Sequence, residues 1–344
     1  MGNPWVLQTT QNLQASRTLG RVKAGMRFLT YDELTPSMEA DRTLIHLTSF
    51  GGAFAPRSIE LERRRTKTYA DYVGVFAAER DHLLGQAFAL RIPFTFPRGT
   101  ELVTGVAAVA TRPDRGRAGV ARAILTEVHR REREAGVRFS ILWTNRSWGA
   151  HALYEKLGYR DVYSSPWAVK PPCGAVPRRP KGIRPARREE LDDLERLHAR
   201  QAEGRLGFLR EPNGYLRVWT AAGDIDPSKE LVVQRAGRRV QGYAYVQSNP
   251  YRTICGELVV TSRESRQALI SEVRRRAKRT PFAFGHTPVR DAPELFRGHG
   301  YSFVPTGWNV LMASSIGRDW SARAALSQFA TDDPRFLCMS GDSF

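Results

Sequence analysis

The alternation of apolar and polar residues becomes regular at Met26. "MRFLTY" has the look of a short strand, and apolar residues at helical spacing follow to about Lys67. From Tyr72 the period shortens. "YVGVFAAERD" and "LLGQAFALRIPFTF" predict two strands, and the run Leu102 to Ala110, "LVTGVAAVA", predicts a third. An amphipathic helix is expected from about Gly119 to Ala135. After it come a strand, "FSILWT", a short helix, "GAHALYEKLG", and closing strands between about Tyr159 and Val169.

The later part of the chain repeats this order. "IRPA" precedes the helix "REELDDLERLHARQ", and the strands "ELVVQRAG" and "RVQGYAYVQS" share a tight turn. Then come "TICGELVVT", the helix "ESRQALISEVRRRAKR", the strand "PFAFGHT", the short helix "APELFRGHG" and the strand "YSFVPTGWNVLMA". The halves match element for element, down to "LYEKLGY" and "LFRGHGY". A period of about 150 residues is too long for a solenoid and marks a duplicated domain. Between the copies lies "KPPCGAVPRRPKGIRPA", with five prolines and two glycines in 17 positions, which continues neither a helix nor a central strand.

The expected organisation is therefore a polar extension over 1–25, a first domain over 26–170, and a linker over 171–182. A second domain over 183–313 and a tail over 314–344 complete it. Each copy is expected to be α/β, a mixed twisted sheet flanked by helices.

Composition narrows the class. Of 344 residues, 41% are apolar and 26% charged, ordinary for a chain that buries a core. No apolar run approaches the roughly 20 residues of a membrane span, and the first 25 residues lack the order of a secretory signal. A cytoplasmic location is the expectation. Cys173, Cys255 and Cys338 are too far apart for a disulfide framework or a metal set, and seven scattered histidines form no ligand spacing, so no metal site is assigned. The net charge of +18 is almost all arginine, since only seven of the 53 basic residues are lysine. Biased usage on a solvated surface explains such a charge, as does an anionic partner such as nucleic acid, a phosphorylated cofactor or an acidic peptide. The arginines are spread along the whole chain, which favours the former.

The chemistry is concentrated in one turn. "TRPDRGRAG", residues 111–119, joins the third strand to the amphipathic helix and holds two glycines and three arginines. Unpartnered N–H groups of a helix's first turn, together with its dipole, favour an anion there. Ala118, Gly119 and Ala121 are small enough for a phosphate to approach the main chain, and Arg115 and Arg117 offer charge-assisted hydrogen bonds. A glycine turn between strand and helix is also, often, only a turn.

"VAAVATRPDRGRAGVARAIL" resembles the pyrophosphate-binding motif of the GCN5-related N-acetyltransferase (GNAT) family: a strand, a proline-bearing loop, then [Gln/Arg]-x-x-Gly-x-[Gly/Ala] opening a helix. The motif falls on Gly116-Arg117-Ala118-Gly119-Val120-Ala121. Gly119 and Ala121 match, while Gly116 stands where the family has Gln or Arg. "WTNRSWGAHALYEKLGYRDV" looks like the family's later motif, an Asn at a strand end and a helix closing on Leu-Tyr-x-x-Leu-Gly-[Phe/Tyr].

The resemblance implies an acetyl-CoA or other acyl-CoA cofactor, held by the loop and by Asn145. It implies an oxyanion donor among the main-chain amides of Val109, Ala110 and Thr111, and Tyr154 as proton donor to the departing thiolate. Tyr154 also alternates with Leu153 and Leu157 on an amphipathic face, the usual place of a core tyrosine. The resemblance covers the first half.

The corresponding loop of the second half, "VVTSRESRQALISEV", has neither glycine nor proline between Thr261 and Val273, and Phe296 stands at the place of Tyr154. This copy is expected not to bind coenzyme A and to wall or buttress the first. The layout is similar to Eis-type acetyltransferases, a catalytic and a degenerate GNAT domain, without their sterol-carrier-like third domain. "ALSQFATDDPRFLCMSGDSF" looks like that domain's last stretch, which implies the Phe344 carboxylate as a base, with Glu79 and Asp81 as further candidates.

The expected function is N-acyl transfer to a primary amine of a small molecule or peptide by direct attack on the thioester. Asp32, Glu33, Glu39, Asp41, Glu60, Glu62, Glu79 and Asp81 offer acidic lining for a cationic acceptor such as an aminoglycoside, whereas the net charge suits an acidic peptide. The rivals are a tandem GNAT fold that uses aminoacyl-tRNA or binds RNA, and an inactive scaffold. A homo-oligomer stays open.

Overall fold

A computed structural model describes residues 25–50, 55–69, 71–172, 178–208, 214–237, 239–250, 252–277, 282–284, 301–317, 326–333 and 335–336. Residues 1–24 of the predicted polar extension (1–25), the short helix "APELFRGHG" with Phe296, and Phe344 lie outside them.

The first half runs β1 (Met26–Leu29), α1 (Pro36–Ser49), α2 (Ala55–Thr68), β2 (Tyr72–Glu79), β3 (His82–Phe96), β4 (Gly99–Thr111), α3 (Val120–Glu134), β5 (Phe139–Thr144), α4 (Gly149–Lys156) and β6 (Arg160–Lys170). The second runs β7 (Ile183–Pro185), α5 (Leu191–Ala202), β8 (Gly207–Phe208), α6 (Tyr215–Ala222), α7 (Pro227–Glu230), β9 (Leu231–Ala236), β10 (Arg239–Ser248), β11 (Thr253–Val260), α8 (Arg263–Ala277), β12 (Phe282–Phe284) and β13 (Ser302–Ser315). The helices begin where local chemistry provides for them. Thr35 accepts the Met38 amide and Pro36 stands in the first turn of α1, where a missing N–H costs nothing. The short elements α6, α7 and β8 were not among those predicted.

Among the described residues the strands form one sheet in the order β1-β2-β3-β4-β5-β13-β6-β12-β11-β10-β9-β7, with β8 added to β3. This order is symmetric about the β13–β6 pair. β5 meets β13 as β12 meets β6, in both cases antiparallel, while β4–β5 and β11–β12 are the parallel pairs. The duplicated halves have thus exchanged their last strands. Val310 to Ser315 complete the first half beside Thr144 to Phe139, and Lys170 to Ala168 complete the second beside Phe282 to Phe284.

Equivalent glycines confirm the repeat. A Cβ on Gly85 would lie 2.7 Å from the Ala110 carbonyl oxygen, and one on Gly242 2.6 Å from that of Val259, so each lets its helix close onto the sheet.

In the first half, one face of the sheet packs α3 and α4 through Val75, Ala77, Ala87, Val106, Leu125, Leu142, Tyr154 and Met312. The opposite face carries α1 over Phe76, Phe88 and Ala110. Farther along that face, Phe329 and Phe336 of the tail join Phe94, Phe96, Phe139 and Leu311. No described helix is long and apolar enough to cross a membrane.

Candidate active site

β4 departs from regular pairing at two places, and together they open the sheet. Opposite β3, Gln86 pairs with Ala110 but Phe88 with Ala107, so Ala108 and Val109 face Ala87 alone. Ala107 and Ala108 consequently pack toward the same face, and Ala108 takes a left-handed φ of 48°. This is a β-bulge, and it turns main-chain groups out of the ladder. On the other side, β4 pairs with β5 only at Thr104–Ser140 and Gly105–Ile141. Past Gly105 the two parallel strands part, and β5 continues against β13 instead.

The loop after β4 sits at the open end. A 3-10 turn, Pro113–Arg115, leads to Arg117 at φ 64° and Gly119 at φ 82°, and α3 starts at Val120. Gly119 supplies no side-chain cap. The first amide at the start of α3 to find a carbonyl is that of Ala123, 3.0 Å from Gly119. The amides of Gly119, Val120, Ala121 and Arg122 meet no acceptor among the described residues. Unpartnered donors at a helix N-terminus favour an anion beside them.

The second half shows the same position closed. Ser262 Oγ accepts the Ser265 amide at 3.1 Å, and Ser265 Oγ reaches the Gln241 carbonyl at 3.3 Å, so side chains fill the start of α8.

Of the loop arginines, Arg112 is spent on Asp114 (2.6 Å) and Asp41 (3.2 Å), fixing the loop to α1. Arg115 lies 3.7 Å from Glu79 and 3.6 Å from Asp114. Glu79 therefore stands at the loop, at the hairpin end of β2, paired with an arginine. Arg117 and Arg122 have no carboxylate partner among the described residues.

Asn145 follows β5 directly. Its Oδ1 accepts both the amide and the hydroxyl of Ser147 at 2.9 Å, which shapes the turn into α4 and leaves its Nδ2 to donate. Tyr154 points from α4 into the core between the splayed strands, 7% exposed. Its ring meets Tyr159 edge-on at 5.9 Å. The hydroxyl makes no hydrogen bond among the described residues and is not sealed in. Burial raises its pKa to about 12, so it holds its proton at any physiological pH. Tyr159, by contrast, is committed to Ser140 (2.6 Å) and His129 (2.8 Å).

Val109, Val120 and Tyr154 thus share one core cluster on the stretch where β4 and β5 no longer pair, and Asn145 follows β5 there. Most acidic residues of the first half are engaged elsewhere. Glu33 is tied to Thr30, Asp41 to Arg112, Glu60 to Arg63 and Arg64, and Glu39 and Glu62 to Arg42. The last of these belongs to a buried network on the α1 face that sequence reasoning passed over. Fully buried Arg42 donates to Glu62 (2.9 Å), Glu39 (3.2 Å), Tyr31 (3.1 Å) and Gln86 (3.4 Å), with His46 3.3 Å from Glu62. Its signal was there to find. Arg42 and His46 stand four apart on the helical stripe that also holds Met38 and Ile45.

Comparison with known proteins agrees with this geometry. Residues 30–162 match the family described as acetyltransferase (GNAT) domain. Among solved structures the chain is similar to a probable N-acyltransferase of unknown function from Enterococcus faecalis V583, with TM-score 0.63, 15% identity, and coverage of 85% of this chain and 73% of that one. A GCN5-related N-acetyltransferase from Anabaena variabilis ATCC 29413 gives TM-score 0.63 at 14% identity, covering 85% and 73%. A tandem GNAT protein from the clavulanic acid biosynthesis pathway gives TM-score 0.54 at 14% identity, covering 86% and 100%. No curated protein sequence matches the chain. Residues 30–162 thus match the GNAT acetyltransferase domain, and over 86% of its length the chain shares the fold of a tandem GNAT protein.

Proposed function

We propose that the protein is an acyl-CoA-dependent N-acyltransferase, with the first half catalytic and the second unable to bind the cofactor. The observation that carries this reading is the contrast between two equivalent helix starts, four free amides at α3 and a side-chain cap at α8. The donors present suit a diphosphate, and the splay beside them suits a narrow chain ending at the bulge.

Bound there, acyl-CoA would supply an activated thioester carbonyl and a thiol leaving group. Gly119 to Arg122 would hold the diphosphate, with Arg117 adding charge. Asn145 would donate to the connecting chain through Nδ2. The amide of Val109, released from the ladder by the bulge, would donate to the carbonyl oxygen as it gathers charge. As the C–N bond forms and the C–S bond breaks, Tyr154 would give its proton to the departing sulfur, and the proton shed by the amine nitrogen would leave through water. Glu79 we assign to the loop, where it orients Arg115, rather than to proton removal from the amine.

The acceptor is a primary amine carried on a neutral or anionic molecule, with an acidic peptide best suited to the charge. A polycation would meet a surface of net charge +18 whose first-half carboxylates are largely paired internally.

A panel of amines with free-thiol release as readout tests the reading, with thermal stabilisation by acetyl-CoA measured beside that by tRNA. Acetyl-CoA should raise the melting temperature and an amine should release thiol. Stabilisation by tRNA alone would replace this proposal with an RNA-binding one.

A further inference from the structure

We propose that Gln86, which touches no reacting atom, is a positioning residue for acyl transfer: it holds the strained bulge from which the oxyanion-binding amide projects. The inference rests on the acyl-transfer reading above and deepens it.

Three observations carry it. First, Ala108 sits at φ 48°, a conformation that L-residues avoid, and so something must hold it there. Second, the Gln86 amide is placed to do so. Gln86 is fully buried on β3, its Oε1 accepts from Arg42 Nε at 3.4 Å, and its Nε2 donates to the Ala108 carbonyl at 3.5 Å and meets His46 Nε2 at 3.1 Å. Arg42 can only donate, which sets the amide's orientation and points its N–H groups at the bulge. Arg42 is in turn locked by Glu62 and Glu39, so the anchor is rigid.

Third, the second half solves the same problem differently. Gly85 pairs with Thr111 and Gly242 with Val260; counting from these, Gln86 corresponds to Tyr243 and Ala108 to Glu257. Glu257 holds its own strand through its side chain, 2.8 Å from the Tyr243 hydroxyl and 2.5 Å from His198 Nδ1, and no left-handed φ occurs there. Ala108 packs on the face that α1 covers and has no side chain able to make such bonds, so the hold must come from across the ladder.

The test uses the full chain, with the amine found by the panel above. Gln86→Leu removes the anchor, and Gln86→Glu keeps an acceptor for Arg42 but no donor for Ala108. Both should lower kcat on the order of 30-fold while coenzyme A affinity, measured by calorimetry, stays within about 3-fold. That split is expected when an oxyanion donor is misplaced and the cofactor-binding groups stay intact. Ala108→Gly makes the left-handed conformation cheap. The double variant Gln86→Leu with Ala108→Gly should therefore recover to within about 5-fold of the parent kcat, a rescue that a merely structural glutamine would not permit. If Gln86→Leu fails to fold, Gln86→Glu decides on the same criteria. A Gln86→Glu enzyme with the parent kcat overturns the inference, as does a loss of kcat that glycine at 108 leaves unrepaired. A parent protein that neither binds coenzyme A nor releases thiol overturns the proposed function itself, and the inference with it.

Discussion

At the scale of single residues, two buried rings are proposed to divide the work between chemistry and stability. Tyr154 and Tyr159 touch each other, yet only Tyr159 has its hydroxyl committed to Ser140 and His129. Tyr154→Phe removes one oxygen and keeps the packing. Steady-state kinetics should show kcat falling about 100-fold or more, the usual worth of a placed general acid, with little change in melting temperature. Unchanged turnover would return Tyr154 to the core. Because burial raises its pKa to about 12, no loss of activity from this group is expected below about pH 10. Glu79→Gln separates its two assignments. A carboxylate that only orients Arg115 should cost less than about 5-fold in kcat/KM, whereas the loss of a general base costs about 100-fold or more. His129 should contribute to acid sensitivity. Burial lowers its pKa to about 4 from an unfolded value of 6.5, so its contribution is full above pH 6.5 and is lost as pH falls toward 4, where the unfolded chain binds a proton that the native one refuses. The difference amounts to about 3 kcal/mol. His129→Gln should flatten the fall in melting temperature between about pH 7 and about pH 4.5, and an equally steep fall would count against this assignment.

At the scale of elements, the start of α3 is the decisive feature. Gly119→Asp places a carboxylate, which can cap the helix, where the diphosphate would sit. The left-handed φ of 82° makes any side chain there cost about 1 kcal/mol, a shift of a few degrees in melting temperature, while like-charge repulsion should weaken coenzyme A binding about 100-fold or more. Calorimetry that found the parent affinity would displace the cradle from this loop. The loop was legible in the sequence because glycine and proline act locally, and so were most strands and helices, whose periodicity is written in consecutive residues. The bulge was less so. Its trace is the pair Ala107–Ala108, two small residues in succession where a strand face should alternate. The Arg42 network was missed for a related reason. Charged residues on an otherwise apolar helical stripe announce a buried polar cluster, but their partners Glu62 and Gln86 lie on other elements, and no local pattern connects them.

At the scale of the whole molecule, the exchanged strands make the duplication more than two beads on a string. The proline-rich joint suggested separable domains, and nothing local in "YSFVPTGWNVLMA" told which half it would pair with. Pairing is decided by edges that exist only once the rest has folded, and here the free edge of β5 is met by β13. Val310, Leu311 and Met312 are fully buried in two of the first half's cores. At roughly 1.5–3 kcal/mol for each buried side chain, they contribute roughly 5–9 kcal/mol, comparable to the roughly 5–15 kcal/mol that stabilises a typical domain. A fragment of residues 1–172 lacks these side chains and also exposes a long strand edge, the template for aggregation. Expressed alone it should be insoluble or bind no coenzyme A. Co-expressed with residues 173–344 it should recover a soluble pair that binds the cofactor, since the missing strand is then returned in trans. A lone 1–172 fragment that is monomeric, cooperative in unfolding and competent for coenzyme A would show that the second half is dispensable. The role of the degenerate copy would then have to be sought at the acceptor rather than in the sheet.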